Sequence, residues 1–264
     1  MTGRIGVAIV VVTALGAVLG PWLVPYDPAA QDLALRLQGP SSAHWLGIDE
    51  LGRDVLVRLL VGARVSLLVG VAVVSVSAAA GILVGALAGY VGGWFDEAIG
   101  RLMDVLLAFP GILLAIGLVA VLGPSLTNVV LALTVIGWVG YARLVRGQVL
   151  KVRQLEYVQA ARALGAPLSR VLAVHVVPAT LSAVTVQATL GMAAAIIAEA
   201  SLSFLGLGVQ PPTASWGTML DAGRSHLLDA PHLTVFPGVA IALLVLGLNL
   251  VGDALRDRLD PRAP

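Results

Sequence analysis

The chain has 264 residues, of which 58% are hydrophobic and only 12% charged, and its formal net charge is +1. That charged share is about half the usual soluble value, and a mean hydropathy of +0.96 excludes an ordinary water-soluble domain. The absence of cysteine excludes disulfides, thiolate metal sites and a cysteine nucleophile.

A bilayer core takes about 20 apolar residues per spanning helix, and six runs approach that length, so the chain reads as an all-α integral membrane protein. The first run, Ile5 to Val24, is too long for a signal-peptide core and leads to no small-x-small cleavage site. Residues 1–24 therefore read as an uncleaved N-terminal anchor. Residues 25–65 follow as an outer-face segment. Between His44 and Arg64, Trp45, Leu51, Val55 and Leu59 alternate with Asp49, Glu50, Arg53 and Asp54, the pattern of an amphipathic stretch at a membrane surface in which Arg53 pairs with a nearby acid such as Asp49. A solvated connector carrying one amphipathic helix is an equal reading.

Residues 66–252 hold the other five runs: Ser66 to Tyr90, Ile99 to Leu122, Asn128 to Val145, Ala179 to Ala200 and Thr234 to Gly252. Each is bounded by charge, glycine or proline. Gly81, Gly85 and Gly89 share one face of the first of these, a small-xxx-small seam for close helix packing. Its partner is either another span or a second protein. Residues 201–233, rich in Gly and Pro and containing Trp216, are too irregular to cross lipid but suit a loop lining a protein-enclosed vestibule.

With six spans and a cytoplasmic N-terminus, 11 of the 16 Lys and Arg residues lie inside and 5 outside, the sense of the positive-inside rule. Both termini are then cytoplasmic, with residues 253–264 as an inner tail. Arg143, Arg146, Lys151, Arg153, Arg162 and Arg170 carry most of the bias, against one acid, Glu156. Such a basic loop also suits anionic lipid headgroups.

Catalytic motifs are absent. Lys151 is the only lysine and follows Leu150, so the chain has no phosphate-binding Gly-Lys-Ser/Thr loop. Gly206 to Pro212 lacks the third glycine of a dinucleotide fingerprint, and no Gly-x-Ser-x-Gly elbow occurs. His44, His175, His226 and His232 are scattered without helical metal spacing; only His226, Asp229 and His232 are close enough to converge, and ordinary loop chemistry explains them better. No metal site is expected. Asp104 and Glu199 lie in or near apolar runs, where a charge needs a partner or water. They read either as gating or pathway groups, or as interfacial acids satisfied by a neighbour such as Arg101. An ion-coupled carrier or membrane enzyme would use these same two acids.

The cytoplasmic segment 148–178 stands out for its polarity. From Arg153 to Leu164 it reads as a short helix with Leu155, Val158, Ala161 and Leu164 as a narrow apolar stripe. Gly165 falls where a left-handed C-terminal residue belongs, and Pro167 opens a second short helix that Pro178 closes before the next span. Docking of a partner and simple connection fit this pattern equally.

"QAARALG" followed by "HVVPA" resembles the cytoplasmic EAA loop of ABC-importer permeases. Glu156, Gln159, Ala160, Ala161, Leu164, Gly165 and Pro178 are the ATPase-coupling positions which that resemblance implies, with Gln159 standing where the family has Glu. The blocks His44 to Gly70, Ala200 to Leu220 and Asn249 to Arg262 are similar to the C-type permease of the peptide/nickel importer family. The resemblance implies a type I permease fold with a cytoplasmic coupling helix, in a bacterial cytoplasmic membrane. It implies as partners a B-type permease, two ATP-binding subunits or one fused pair, and an extracytoplasmic substrate-binding protein, with no nucleic acid. ATP and Mg would sit on the ATPase subunits and no cofactor on this chain. Di- or oligopeptides are the first cargo it implies; nickel, nickel chelates, glutathione and other small solutes stay open.

Overall fold

A computed structural model describes residues 2–259. Ten α-helices are defined among them: α1 (Thr2–Leu23), α2 (Val55–Val91), α3 (Gly93–Leu107), α4 (Gly111–Leu122), α5 (Leu126–Val152), α6 (Glu156–Ala163), α7 (Leu168–Arg170), α8 (Val177–Phe204), α9 (Trp216–Gly223) and α10 (His232–Leu259). Five helical stretches are long and apolar enough to cross a bilayer, and α3 with α4 passes the same length and hydropathy criterion only as a pair, bent at its middle. No strand forms among the described residues, consistent with a solvent in which a helix alone satisfies its own backbone.

The apolar runs and the helices differ in three places. The run from Ile99 to Leu122 is not one rod: α3 and α4 meet at 84° across Ala108, Phe109 and Pro110. Pro110 has no N–H and disfavours a helical residue before it, so it ends one helix and stands as N-cap of the next. The outer segment is also shorter than 25–65, because α2 begins at Val55. Asp54 caps it, its carboxylate accepting the Val57 N–H at 3.0 Å, and the helix then runs unbroken for 37 residues. The segment meant as an inner tail begins inside α10, which reaches Leu259; residues 260–264 lie outside the described region, as does Met1.

The third difference concerns Pro178, which closes nothing. From Leu168 the chain passes through a π-helical stretch, Val171–Val176, directly into α8. A proline forfeits one backbone hydrogen bond, and the wider π turn absorbs the mismatch without a break. The outcome is a single crossing from Leu168 to Phe204.

The bundle is organised around α2 and α5. An ideal Cβ on Gly89 would stand 3.0 Å from the Arg146 carbonyl, and on Gly81 2.8 Å from the Ala142 nitrogen; at Gly85 it would overlap the Ala142 backbone. The glycine seam therefore meets another span of this chain, α5. Gly70 on the same helix abuts Met192 of α8 instead. Arg153 closes the α6 end of this pair by donating to the Gly89 carbonyl at 2.8 Å, one of the last-turn acceptors that an α-helix leaves open.

The anchor α1 is fastened by an arginine. Residue 21 is proline, so the carbonyl of Ala17 has no i+4 donor. Arg64 of α2 supplies one, its Nε donating to Ala17 O and its Nη2 to Val18 O, the latter at 3.0 Å. One otherwise costly charge and one orphan carbonyl thus satisfy each other.

Residues 25–54 form a folded cap. Arg53 Nε donates to Asp49 at 2.6 Å, Arg58 approaches the same carboxylate at 3.4 Å, and His44 Nδ1 lies 2.9 Å from Asp54. Trp216, buried at the start of α9, donates its indole N–H to the Leu59 carbonyl at 2.9 Å. The loop between α8 and α10 is thereby pinned onto α2.

Candidate functional site: a projecting helical turn and two separated acids

The segment between α5 and α8 projects from the bundle on one apolar anchor. Val158 is fully buried against the cluster containing Val149, Val152, Val171 and Val176. Around it, the Gln159 amide donates to the Gln154 carbonyl at 3.1 Å, and the Arg162 guanidinium lies 5.6 Å from the centre of the Tyr90 ring, within cation–π range. Glutamate at position 159 has no N–H to give, so the amide makes a local bond that the family's usual residue does not.

The expected apolar stripe does not lie on one face. Steps of three advance 300° rather than 360°, so nine residues carry Leu155 and Leu164 to opposite sides of a helix. Both are in fact caps of α6, which runs only from Glu156 to Ala163. Val158 points in, whereas Leu164 is 88% exposed.

The turn itself has the geometry that the glycine suggests. Gly165 has φ +81°. Its N–H donates to the Arg162 carbonyl at 2.9 Å and the Ala166 N–H to the Ala161 carbonyl at 3.1 Å, the paired bonds of a Schellman closure. No atom lies within 4 Å of an ideal Cβ on Gly165. Glu156, Gln159, Ala160, Leu164 and Gly165 are exposed and Ala161 is half-buried; together they form one outward cap on the bundle, 13 residues before Pro178, which lies inside the long crossing instead.

Asp104 and Glu199 are not brought together. Asp104 lies on α3, outside any continuous span, with its side chain 74% exposed, and it accepts from Arg143 of α5 at 2.7 Å. Arg101 pairs instead with Glu97. A second tie, Arg146 Nη2 to Asp96 at 2.7 Å, holds the start of α3 to α5. These pairs join residues 39 and 50 apart in sequence, a separation at which local spacing carries no signal. Glu199 sits at the other end of the bundle, fully buried. Its carboxyl accepts from Ser203 at 2.7 Å and from Ser66 of α2 at 3.3 Å, and Ser215 at the start of α9 stands beside it.

This arrangement clamps α2, α8 and α9 together. Glu199→Leu is expected to strand the two serine hydroxyls, each lost partner costing about 1–3 kcal/mol, whereas Glu199→Gln keeps an acceptor. Thermal unfolding in detergent checks it: a lowered midpoint for the leucine variant and a near-native one for the glutamine variant are expected. The histidines do not converge. His226 approaches Glu50 at 3.7 Å and His232 faces the Ile48 carbonyl, and no group of three metal-ligating side chains forms among the described residues.

Comparison with known proteins decides what this bundle is. Residues 81–263 match the family described as binding-protein-dependent transport system inner membrane component. The chain belongs to that family of ABC-importer permeases.

Residues 2–40 of the permease also match the N-terminal transmembrane domain of oligopeptide transport permease C, in keeping with the C-type, peptide/nickel branch. It is 49% identical over 263 residues to the glutathione transport system permease protein GsiD of Shigella dysenteriae serotype 1, covering 99% of this chain and 86% of that one. It is 48% identical over 263 residues to the protein of the same name in Escherichia coli O157:H7, with the same coverage. The Salmonella paratyphi A counterpart is 48% identical over 249 residues, covering 94% and 82%. The permease is thus a multi-pass inner-membrane subunit of an ATP-driven importer, working with ATP-hydrolysing and substrate-binding partners.

Proposed function

We propose that this permease forms one half of a peptide-translocation pathway and receives the stroke of its ATPase partner on the α6 turn. The observation that carries this reading is Leu164, 88% exposed on a turn held out from the bundle by a buried Val158 and a left-handed Gly165. A bulky apolar side chain set among small exposed residues on a hydrogen-bonded turn suits a surface that a partner can approach closely. Glu156, Gln159, Ala160, Ala161, Leu164 and Gly165 make up that surface, small residues allowing close approach. Pro178 belongs to the helix behind it, and not to the surface.

The charge distribution supports an inner location for this turn and for both chain termini, with the folded cap of residues 25–54 on the outer face. A B-type permease supplies the other half of the pathway, and two ATP-binding subunits, or one fused pair, bind ATP and Mg. A substrate-binding protein delivers cargo from outside. Di- and oligopeptides are the cargo, since the relatives are named for glutathione, itself a small peptide.

The test is purification of a tagged permease from native membranes in mild detergent, with mass spectrometry of what accompanies it. Recovery of a second permease, P-loop ATPases and a binding protein that holds peptides is expected. Recovery of the chain alone, or of a binding protein loaded with nickel, would overturn the assembly or the cargo respectively.

A further inference from the structure

A groove of about 450 Å³ runs along the surface of the bundle, between the second half of α2 and the foot of the crossing that begins at Leu168. Short side chains, Ala79, Ala86 and Ala173, give it depth, and Leu83, Leu168 and Leu172 raise its sides. Ser169 is the one polar residue among those that line it. From Ala79 to Leu87 the groove follows α2 for about 12 Å at the helical rise. Leu83 on its rim is 62% exposed, an apolar surface on a spanning helix that hydrocarbon covers without cost.

One end of the groove leads to a cation. Tyr90 lies three and four residues beyond Leu87 and Ala86, so it continues the same face of α2. It is half-buried in the apolar cluster that also takes in Ile82, Leu172 and Val177. The exposed Arg162 guanidinium stands 5.6 Å from the centre of its ring. The ion pairs near this end of the bundle use Arg101, Arg143 and Arg146, and Arg162 pairs with no carboxylate among the described residues. The ring steadies the cation from one side and leaves its N–H donors unspent. A second cation, Arg153, sits at the same end of α2 on the Gly89 carbonyl.

We propose that this groove holds one acyl chain of an anionic phospholipid, whose phosphate rests on Arg162. The two parts of the surface match the two parts of such a lipid. An open apolar channel along a spanning helix suits a chain, and a positioned guanidinium with free donors suits a phosphate, which it meets with two parallel hydrogen bonds. An extended peptide fits poorly, because a wall with one serine leaves its backbone N–H and C=O groups unsatisfied. The absence of any acid from the wall and the second arginine nearby favour a lipid with net negative charge over a zwitterionic one.

The experiment uses the complete importer, stripped of lipid in mild detergent and titrated with dioleoyl phosphatidylglycerol or dioleoyl phosphatidylcholine, with bound lipid counted by native mass spectrometry. Wild type is expected to bind the phosphatidylglycerol about fivefold more tightly. Arg162→Gln should erase that preference and Arg162→Lys keep most of it. Ala173→Trp, which fills the groove, should weaken both lipids about tenfold; should that variant fail to assemble, the two Arg162 variants decide alone. Arg170→Gln removes an exposed cation of the same helical stretch that does not line the groove, and the preference should survive it. Equal binding of the two lipids by wild type would overturn the proposal, and so would an equal loss with Arg170→Gln, the sign of diffuse attraction by a basic loop. Cross-linking of Ala173→Cys to a second permease subunit would put a protein helix in the groove and overturn it as well.

Discussion

Gly165→Val is expected to abolish most uptake while leaving the permease folded in the membrane. The reason is local. A residue with a Cβ pays roughly 1–2 kcal/mol to hold the left-handed conformation, and a β-branched one is among the worst suited to it. With no atom within 4 Å of the added Cβ, the change brings no collision and leaves the bundle intact. The turn instead relaxes to a negative φ, which breaks the two closing bonds from Gly165 and Ala166 and swings Leu164 away from its present direction. Membrane insertion at wild-type level, at least about a tenfold loss of uptake, and ATP hydrolysis no longer coupled to cargo form the expected pattern. Gly165→Asn is the control, because Asn tolerates the left-handed region, and it should retain most transport. Wild-type uptake by the valine variant in an assembled complex would remove the turn from the coupling machinery.

Gly85→Leu is expected to have the largest effect on folding. Here the conformation is ordinary and the space is missing: even a Cβ would overlap the Ala142 backbone, which cannot rotate away as a side chain can. Accommodating leucine means separating α2 from α5 along the seam, and with it the contacts of Gly81 and Gly89. Overpacking a core costs about 1–3 kcal/mol where side chains can yield, and this site has no such slack. Little monodisperse protein should survive detergent extraction. Gly117→Leu on α4 gives the contrast, since nothing lies within 4 Å of its Cβ, and its yield should match wild type. Comparable yields from both variants would mean that the seam is looser than its distances indicate.

Much of this architecture was legible in the sequence because bilayer physics is coarse. Runs of about 20 apolar residues need no fine detail to be found, and the left-handed turn at Gly165 follows from a glycine placed two residues before a proline. What escaped is instructive by residue. Phe109-Pro110-Gly111 carries an evident breaker, yet the high hydropathy on both sides outweighed it, and one bent crossing read as one straight span. Pro178 misled in the opposite direction, because whether a proline ends a helix depends on whether a neighbouring turn can widen. That choice is settled by packing around Val171 and Val176.

The candidate site divides the same way. The positions proposed for coupling, Pro178 apart, stand out because they form a compact local pattern. Arg64 does not, since its partner carbonyl is made available by a proline 43 residues earlier in the chain, and neither residue is unusual alone. Ser77 and Tyr141 are ordinary residues in a list of apolar ones; only the fold shows that each packs its hydroxyl against a glycine of a neighbouring helix, Gly137 and Gly191. Asp104 attracted attention as an acid near an apolar run, and its partner Arg143, 39 residues away, is not legible from local spacing.

The unbroken crossing from Leu168 to Phe204 has a mechanical meaning. At 1.5 Å per residue its 37 residues measure about 55 Å, well beyond the thickness of the hydrocarbon it crosses. One end adjoins the α6 turn and the other carries Glu199, tied to Ser66 of α2 and to the start of α9. A helix of that length overhangs the bilayer, so the α6 turn and the Glu199 clamp stand on one continuous element. Val171–Val176 carries the chain past Pro178 without an interruption of helix.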